Sequence, residues 1–299
     1  MTKLVECVPN FSEGRDQEVL DALAAQARGV AGVTLLDYSS DQSHNRSVFT
    51  LVGDPDGIAE AAFRLCELAS EKIDLTKHTG AHPRMGATDV IPFIPVKDVT
   101  VAECVAISKT VAERIWRELA IPSFLYEDSA TRPERQNLAT VRKGQFEGMP
   151  EKLLQDDWAP DYGARQVHPT AGVTAIGARM PLVAFNVNLD TSDLAIAKAI
   201  AKTIRGSSGG YKHCKALGVL LEDRDIAQVS MNMVNFEGTP LYRVVEAIKF
   251  EARRYGVRVI GTEVVGLTPA KALIDAAEYY LQIEGFDYGR QVLENHLLG

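Results

Sequence analysis

Apolar positions along this chain follow two rhythms, short runs that alternate and longer runs at helical spacing. LVECVP, from Leu4 to Pro9, predicts a strand, and EVLDALAAQARG after the NFSEG turn puts Val19, Leu20, Leu23 and Ala27 on one helical face before Gly29 stops it. VTLLDYS from Val33 and RSVFTLVG from Arg46 predict two more strands, separated by a polar turn around Asp41 and His44. DPDGIAEAAFRLCELASEKI opens on turn formers and then spaces Ile58, Ala61, Ala62, Leu65 and Leu68 as a helix, giving the order βαββα. DVIPFIPV predicts a further strand, at a sheet edge or irregular rather than central, because Pro92 and Pro95 cannot donate to a ladder. VTVAECVAISKTVAERIWRELA predicts a long helix and IPSFLYED a short final strand.

The grammar restarts after a polar stretch. PLVAFNVNLD predicts a strand, TSDLAIAKAIAKTIRG a helix capped by Thr191 or Ser192, and KALGVLLED and IAQVSMNMVN two strands. TPLYRVVEAIKFEARRYG, VRVIGTEVVG and LTPAKALIDAAEYYLQIEG then predict helix, strand and helix. The pattern predicts an α/β (α+β) chain of two ferredoxin-like, βαββα-containing subdomains, residues 1–180 and 181–299, each a sheet with helices on one face. A ligand groove is expected between the halves. The stretch from Ser129 to Val173 lacks persistent alternation and reads as a connection built over the first half.

Composition narrows the class. A chain of 299 residues, 46% hydrophobic and 24% charged, can bury substantial cores and is not polar enough for global disorder. A net charge of −8 argues against nonspecific nucleic-acid binding, which needs a basic footprint, but leaves room for a local basic pocket around a small anion. Cys7, Cys66, Cys104 and Cys214 form no CxxC pair and read as buried thiols. The N-terminal run turns polar too early for a secretory leader, and no apolar stretch is long enough for a membrane span. A cytoplasmic protein without membrane partners is expected.

Candidate chemistry concentrates in loops. His82 lies in KHTGAHPRMGATD between Gly80 and Gly86, with Pro83 restraining its backbone. A positioned neutral imidazole can take up a proton near neutral pH; the competing reading is a histidine that only fastens its loop. His78 stands four residues earlier, but Gly80 interrupts the helix that a metal-binding HExxH pattern requires. In DQSHNRS, Asp41, His44, Asn45 and Arg46 suit either a polar substrate or a surface turn. Asn10, Ser12, Glu13 and Gly14 are equally open between a turn and a pocket, and RGSSGG at 205–210 could cradle an anion without matching the phosphate-loop pattern.

LVECVPNFSEGR, HNRSVFTLVG, GAHPRMGATDVIPFIP, VAFNVNLD, KALGVLLEDRDIAQVSMNM, TPLYRVVEAIKFEARRYG and GTEVVGL together cover most of the chain. This distributed set closely resembles the formiminotransferase family. The resemblance implies paired α/β subdomains with a folate-binding groove and transfer of a formimidoyl group from N-formimidoyl-L-glutamate to N5 of tetrahydrofolate, with His82 as general base. It implies pocket roles for Asn10, Glu13, Asn45, Arg46, Arg84 and Gly86, and places Asp37 nearby. Some relatives carry an acidic residue where this chain has Ser39, and Asp41 stands two residues away. Arg46 and Arg84 are candidates for substrate carboxylates, since a guanidinium offers two aligned donors; either could instead anchor the loop. The resemblance further implies no metal, a homodimer, histidine degradation as context, and a stand-alone transferase, since the sequence ends soon after the last predicted helix. A folate enzyme using a formyl substrate and a non-enzymatic folate-binding protein are the alternatives.

Overall fold

The computed structural model describes residues 3–222 and 224–297. The chain folds as two compact units that divide between Arg179 and Met180, each α+β. In the first, strands β1 (Leu4–Cys7) and β2 (Asn10–Phe11) run in line, interrupted at Val8 and Pro9. Helix α1 (Gln17–Arg28) follows, capped by the Asp16 carboxylate on Glu18 N and Val19 N. Strands β3 (Val33–Asp41) and β4 (Arg46–Gly53) form a hairpin, and helix α2 (Pro55–Lys72) leads to β5 (Thr88–Lys97). Both β4 and β5 pair antiparallel with β1 and β2, so the first strand lies between the third and fourth and β3 lies outermost.

Helix α3 (Val101–Leu119), closed by a Thr100/Glu103 capping box, then leads to β6 (Ser123–Glu127), and β7 (Thr174–Ala178) inserts parallel between β5 and β6. β5 is therefore central, not at an edge, but it is irregular, as its prolines predict, with shifts in its register against β1 and β2. Each proline falls where the ladder is broken on one side, Pro92 still pairing with Gly177 and Pro95 with Val5 on the other. Pro92 lies opposite the gap between β1 and β2, its carbonyl accepting from Val8 N at 3.3 Å, and Pro95 lies beyond Phe93, the partner of the last residue of β7. No ladder N–H is demanded of either on that broken side. β7 itself, with the small sequence TAIGA, gave no strand signal in the sequence.

One face of this sheet packs on α1, α2 and α3 through Leu20, Leu23, Phe49, Leu51, Leu65 and Ile115, among others. The stretch read as a connection contains α4 (Leu138–Val141) and α5 (Gln145–Leu153), and packs on the opposite face, where Val141, Met149 and Leu153 meet Val90, Phe124, Tyr126 and Ala175. Helical cover is thus not confined to one face.

The second unit repeats the strand arrangement. Strand β8 (Val183–Leu189) lies between β10 (Ile226–Met233) and β11 (Val259–Val265), with β9 (Cys214–Leu221) outside β10 and every pair antiparallel. Helices α6 (Leu194–Ile204) and α7 (Leu241–Arg254) supply Ala197, Ile200, Val244 and Ile248 to its core, followed by α8 (Ala270–Leu281), α9 (Tyr288–Gln291) and α10 (Glu294–Leu297). The cap of α6 is Asp193, which accepts from Ala195 N at 2.8 Å, and not Thr191 or Ser192; Thr191 Oγ1 instead accepts from Asp193 N. Among the described residues no helix is long and apolar enough to cross a membrane.

Candidate active site

Strand alternation decides which polar residues meet. Along β4, Ser47, Phe49 and Leu51 point into the helix-covered core, leaving Arg46, Val48, Thr50 and Val52 half-buried on the other face. Asp41 pairs with Arg46, Ser39 with Val48, Asp37 with Thr50 and Asn10 with Val48. Directly opposed residues of an antiparallel pair share a face. The structure therefore gathers Asn10, Asp37, Ser39, Asp41 and Arg46 on one side of the sheet. A bulge at Leu36 sets this phase, because without it Asp37 would turn toward the core.

The His82 loop is pinned against the β3–β4 turn. Ala81 N donates to Ser43 O at 3.1 Å, and a Cβ on Gly80 would stand 2.4 Å from His44 O, so only glycine permits this approach. Asn45, left-handed at φ 50°, accepts from Gly14 N at 2.9 Å and donates through Nδ2 to Thr79 O at 3.0 Å, tying three loops together. Arg84 Nε donates to His78 Nδ1 at 3.1 Å, which leaves His78 Nε2 as the donor to Asn45 O at 2.9 Å. The Arg84 guanidinium also forms a two-pronged pair with Glu147 of α5, at 2.7 and 2.9 Å. Arg84 is thus committed to the loop, and both nitrogens of His78 are occupied.

His82 is 6% exposed and Asp89, at the start of β5, is fully buried. His82 Nε2 stands 3.6 Å from Asp89 Oδ2, Arg142 Nη2 pairs with that same oxygen, and Met85 N donates to Oδ1 at 2.9 Å. Burial holds the His82 pKa below its ordinary value; Asp89 pulls it up, and the charges of Arg46 and Arg142 push it down. The Asp89 carboxyl is held below the usual range: burial opposes ionisation, but Arg142, His82 and the Met85 amide outweigh it. Burial also lowers the Arg46 pKa, with Arg142 adding repulsion. Among the described residues neither ring nitrogen of His82, with Nε2 held 3.6 Å from Asp89, nor the Arg46 guanidinium has a hydrogen-bond partner. A base with a free nitrogen beside an uncommitted guanidinium suits proton transfer on an anionic substrate.

Other expected residues have structural work. Glu13 Oε1 accepts from Arg15 N and Asp16 N at 2.8 and 2.9 Å, fixing the approach to α1. Asp41 accepts from His44 N at 2.8 Å and pairs with His44 Nδ1 at 3.0 Å, which lowers its pKa and closes the hairpin. Gly86 is buried where a Cβ would lie 2.2 Å from Val173 O, and its own carbonyl accepts from Ser12 Oγ at 2.7 Å. The 205–210 stretch is no anion cradle, since Ser208, Gly209 and Gly210 amides all donate to carbonyls of Arg205 or Gly206. Among the described residues no group of three potential His, Cys, Asp or Glu ligands surrounds a metal-sized space.

Asp89, Arg142 and Glu147 were not singled out in the sequence. A signal existed for one: Asp89 opens an otherwise apolar strand, where a buried carboxylate needs a partner.

The comparisons with known proteins agree over the whole chain. Residues 4–179 match the formiminotransferase domain, N-terminal subdomain, and residues 184–293 match the formiminotransferase domain. The chain is 76% identical over 299 residues to a glutamate formimidoyltransferase of Streptococcus pyogenes serotype M1, covering 100% of both. It is 45% identical over 296 residues to one of Thermoplasma acidophilum, covering 98% of this chain and 97% of that one. It is also 45% identical over 289 residues to a formimidoyltransferase-cyclodeaminase of Mus musculus, covering 95% of this chain and 53% of that protein. With both subdomain models matched in sequence order along its length, this chain belongs to the formiminotransferase domain family.

Proposed function

We propose that this protein transfers the formimidoyl group of N-formimidoyl-L-glutamate to N5 of tetrahydrofolate, releasing 5-formimidoyltetrahydrofolate and L-glutamate. The observation that carries this reading is the end-to-end 76% identity with a glutamate formimidoyltransferase. N5 attacks the formimidoyl carbon, and the bond from that carbon to the glutamate nitrogen breaks. The proton lost by N5 ends on that nitrogen. His82 performs both transfers, taking the proton from N5 and returning it to the leaving amine. With Nε2–H turned toward Asp89, Nδ1 carries the lone pair that acts as base. Arg46 holds a substrate carboxylate, supported by its lack of a protein partner, and Asn10 and Asp37 line the same face.

In this reading each unit is a ferredoxin-like module, supported by the shared order in which the first strand lies between the third and fourth. Tetrahydrofolate serves as acceptor substrate and no metal takes part; self-association as a homodimer and a cytoplasmic location belong to the same reading. A mass-resolved substrate panel tests the function. Purified protein is incubated with tetrahydrofolate and either formimidoylglutamate or formylglutamate, and glutamate release is followed together with the modified folate. Stoichiometric formimidoyl transfer is expected. Turnover of the formyl donor alone, or ligand binding without product, would replace this reading with one of its alternatives.

A further inference from the structure

Lys152 of α5 is 8% exposed, far from typical for a lysine, and its ammonium is fully engaged. It donates to Thr140 O at 2.9 Å, Val141 O at 2.6 Å and Lys143 O at 3.0 Å, and lies 3.8 Å from the centre of the Trp158 ring. Those three carbonyls bracket Arg142, the C-cap residue just past α4, which pairs with Asp89. A cation at the carbonyls of a helix end is favourable, and three bonds from one rigidly held ammonium fix the backbone on both sides of Arg142. The same helix reaches the His82 loop a second time, through Glu147 on Arg84 and Phe146 N on Arg84 O.

We propose that Lys152 is a positioning residue for His82: by clamping the carbonyls around Arg142 it holds that guanidinium on Asp89, and so limits how strongly Asp89 can draw a proton to the imidazole. This rests on the reading of His82 as the proton-transfer group. The groups facing His82 are Asp89, Arg46 and Arg142, and those facing Lys152 are Lys143, Arg135 and the Trp158 ring. Burial, together with Lys143 and Arg135, lowers the Lys152 pKa to about 8, whereas the carbonyls and the indole face favour the charged form. A loosened Arg142 would leave Asp89 to His82, and both changes raise the affinity of the imidazole for its proton.

The test is the titration of His82 followed by NMR in histidine-labelled protein, assigned by the signal missing in His82→Gln. Lys152→Met keeps the chain length and its packing on Trp158 but removes every bond to the carbonyls; Lys152→Gln restores two donors without the charge. His82 should titrate at higher pH in Lys152→Met, by about half a unit or more, in the same direction as in Arg142→Met. Lys152→Gln should fall between parent and Lys152→Met, and the double variant Lys152→Met/Arg142→Met should match Arg142→Met alone, because the lysine acts through the arginine. A folded Lys152→Met with unchanged His82 titration, or additive shifts in the double variant, overturns the proposal. So does failure of both Lys152 variants to fold, which would make the residue structural. Since the readout is a titration, His82→Gln retaining full turnover would defeat the catalytic reading without imitating any of these results.

Discussion

Arg142 and His82 compete for one oxygen of Asp89. Oδ2 pairs with the guanidinium and faces the imidazole at 3.6 Å, while Oδ1 is taken by the Met85 amide. A carboxylate shared in this way orients the histidine without fully neutralising it. Burial, with the charges of Arg46 and Arg142, keeps the imidazole pKa lowered against the pull of Asp89, so it stays neutral, hence competent as a base, at pH values where an ordinary histidine is already protonated.

The pH dependence of kcat/KM should therefore show an acid limb below about 6.5, the ordinary histidine value. Asp89→Asn should move that limb lower still, because the charge that draws the proton is gone, and Arg142→Met should move it higher. Asp89→Asn also leaves Arg142 largely buried without its partner, so unfolding should lose about 3 kcal/mol in urea titrations. Shifts of equal sign in the two variants would refute this electrostatic account.

Arg46 and Arg84 should separate binding from folding. Arg46→Met removes a guanidinium with no protein partner, so stability should stay within about 0.5 kcal/mol while KM rises about 10- to 100-fold. Arg84→Met removes the donor to His78 and the pair with Glu147, and should cost about 2 kcal/mol or more of stability. Denaturant unfolding and initial-rate kinetics on both variants check the split; a destabilised Arg46→Met with parent KM would reverse the assignment.

Asn45→Ala should cost about 3 kcal/mol, since it orphans Gly14 N and Thr79 O and forces alanine into a left-handed backbone. Gly86→Ala places a methyl 2.2 Å from Val173 O and should displace the His82 loop. The unfolding free energy and the single-turnover rate should both fall for Gly86→Ala, and a parent-like protein would show that the loop tolerates the shift.

The hairpin, the paired halves and the His82 loop were legible because local signals carry them. One buried face makes β4 alternate, and Gly80 and Gly86 mark close backbone approaches. What stayed hidden depends on partners distant in sequence. Pro92 and Pro95 argued for an edge or irregular strand, and which one it is could not be read from β5 alone, because the gap between β1 and β2 and the short reach of β7 lie elsewhere in the sequence. Arg84 as a substrate ligand or a loop anchor was undecidable without Glu147 on α5, and Asp89 had meaning only beside Arg142.

The central claim is that His82 moves the protons of formimidoyl transfer, and single-turnover transfer by His82→Gln at saturating substrates across pH tests it most directly. Folding and the binding of both substrates are measured on the same variant. Glutamine retains polar contact but cannot exchange a proton near neutral pH, so the rate should fall about 10²- to 10⁴-fold with folding and binding preserved. A variant that folds, binds both substrates and transfers the group at near-parent rates across pH would contradict the account.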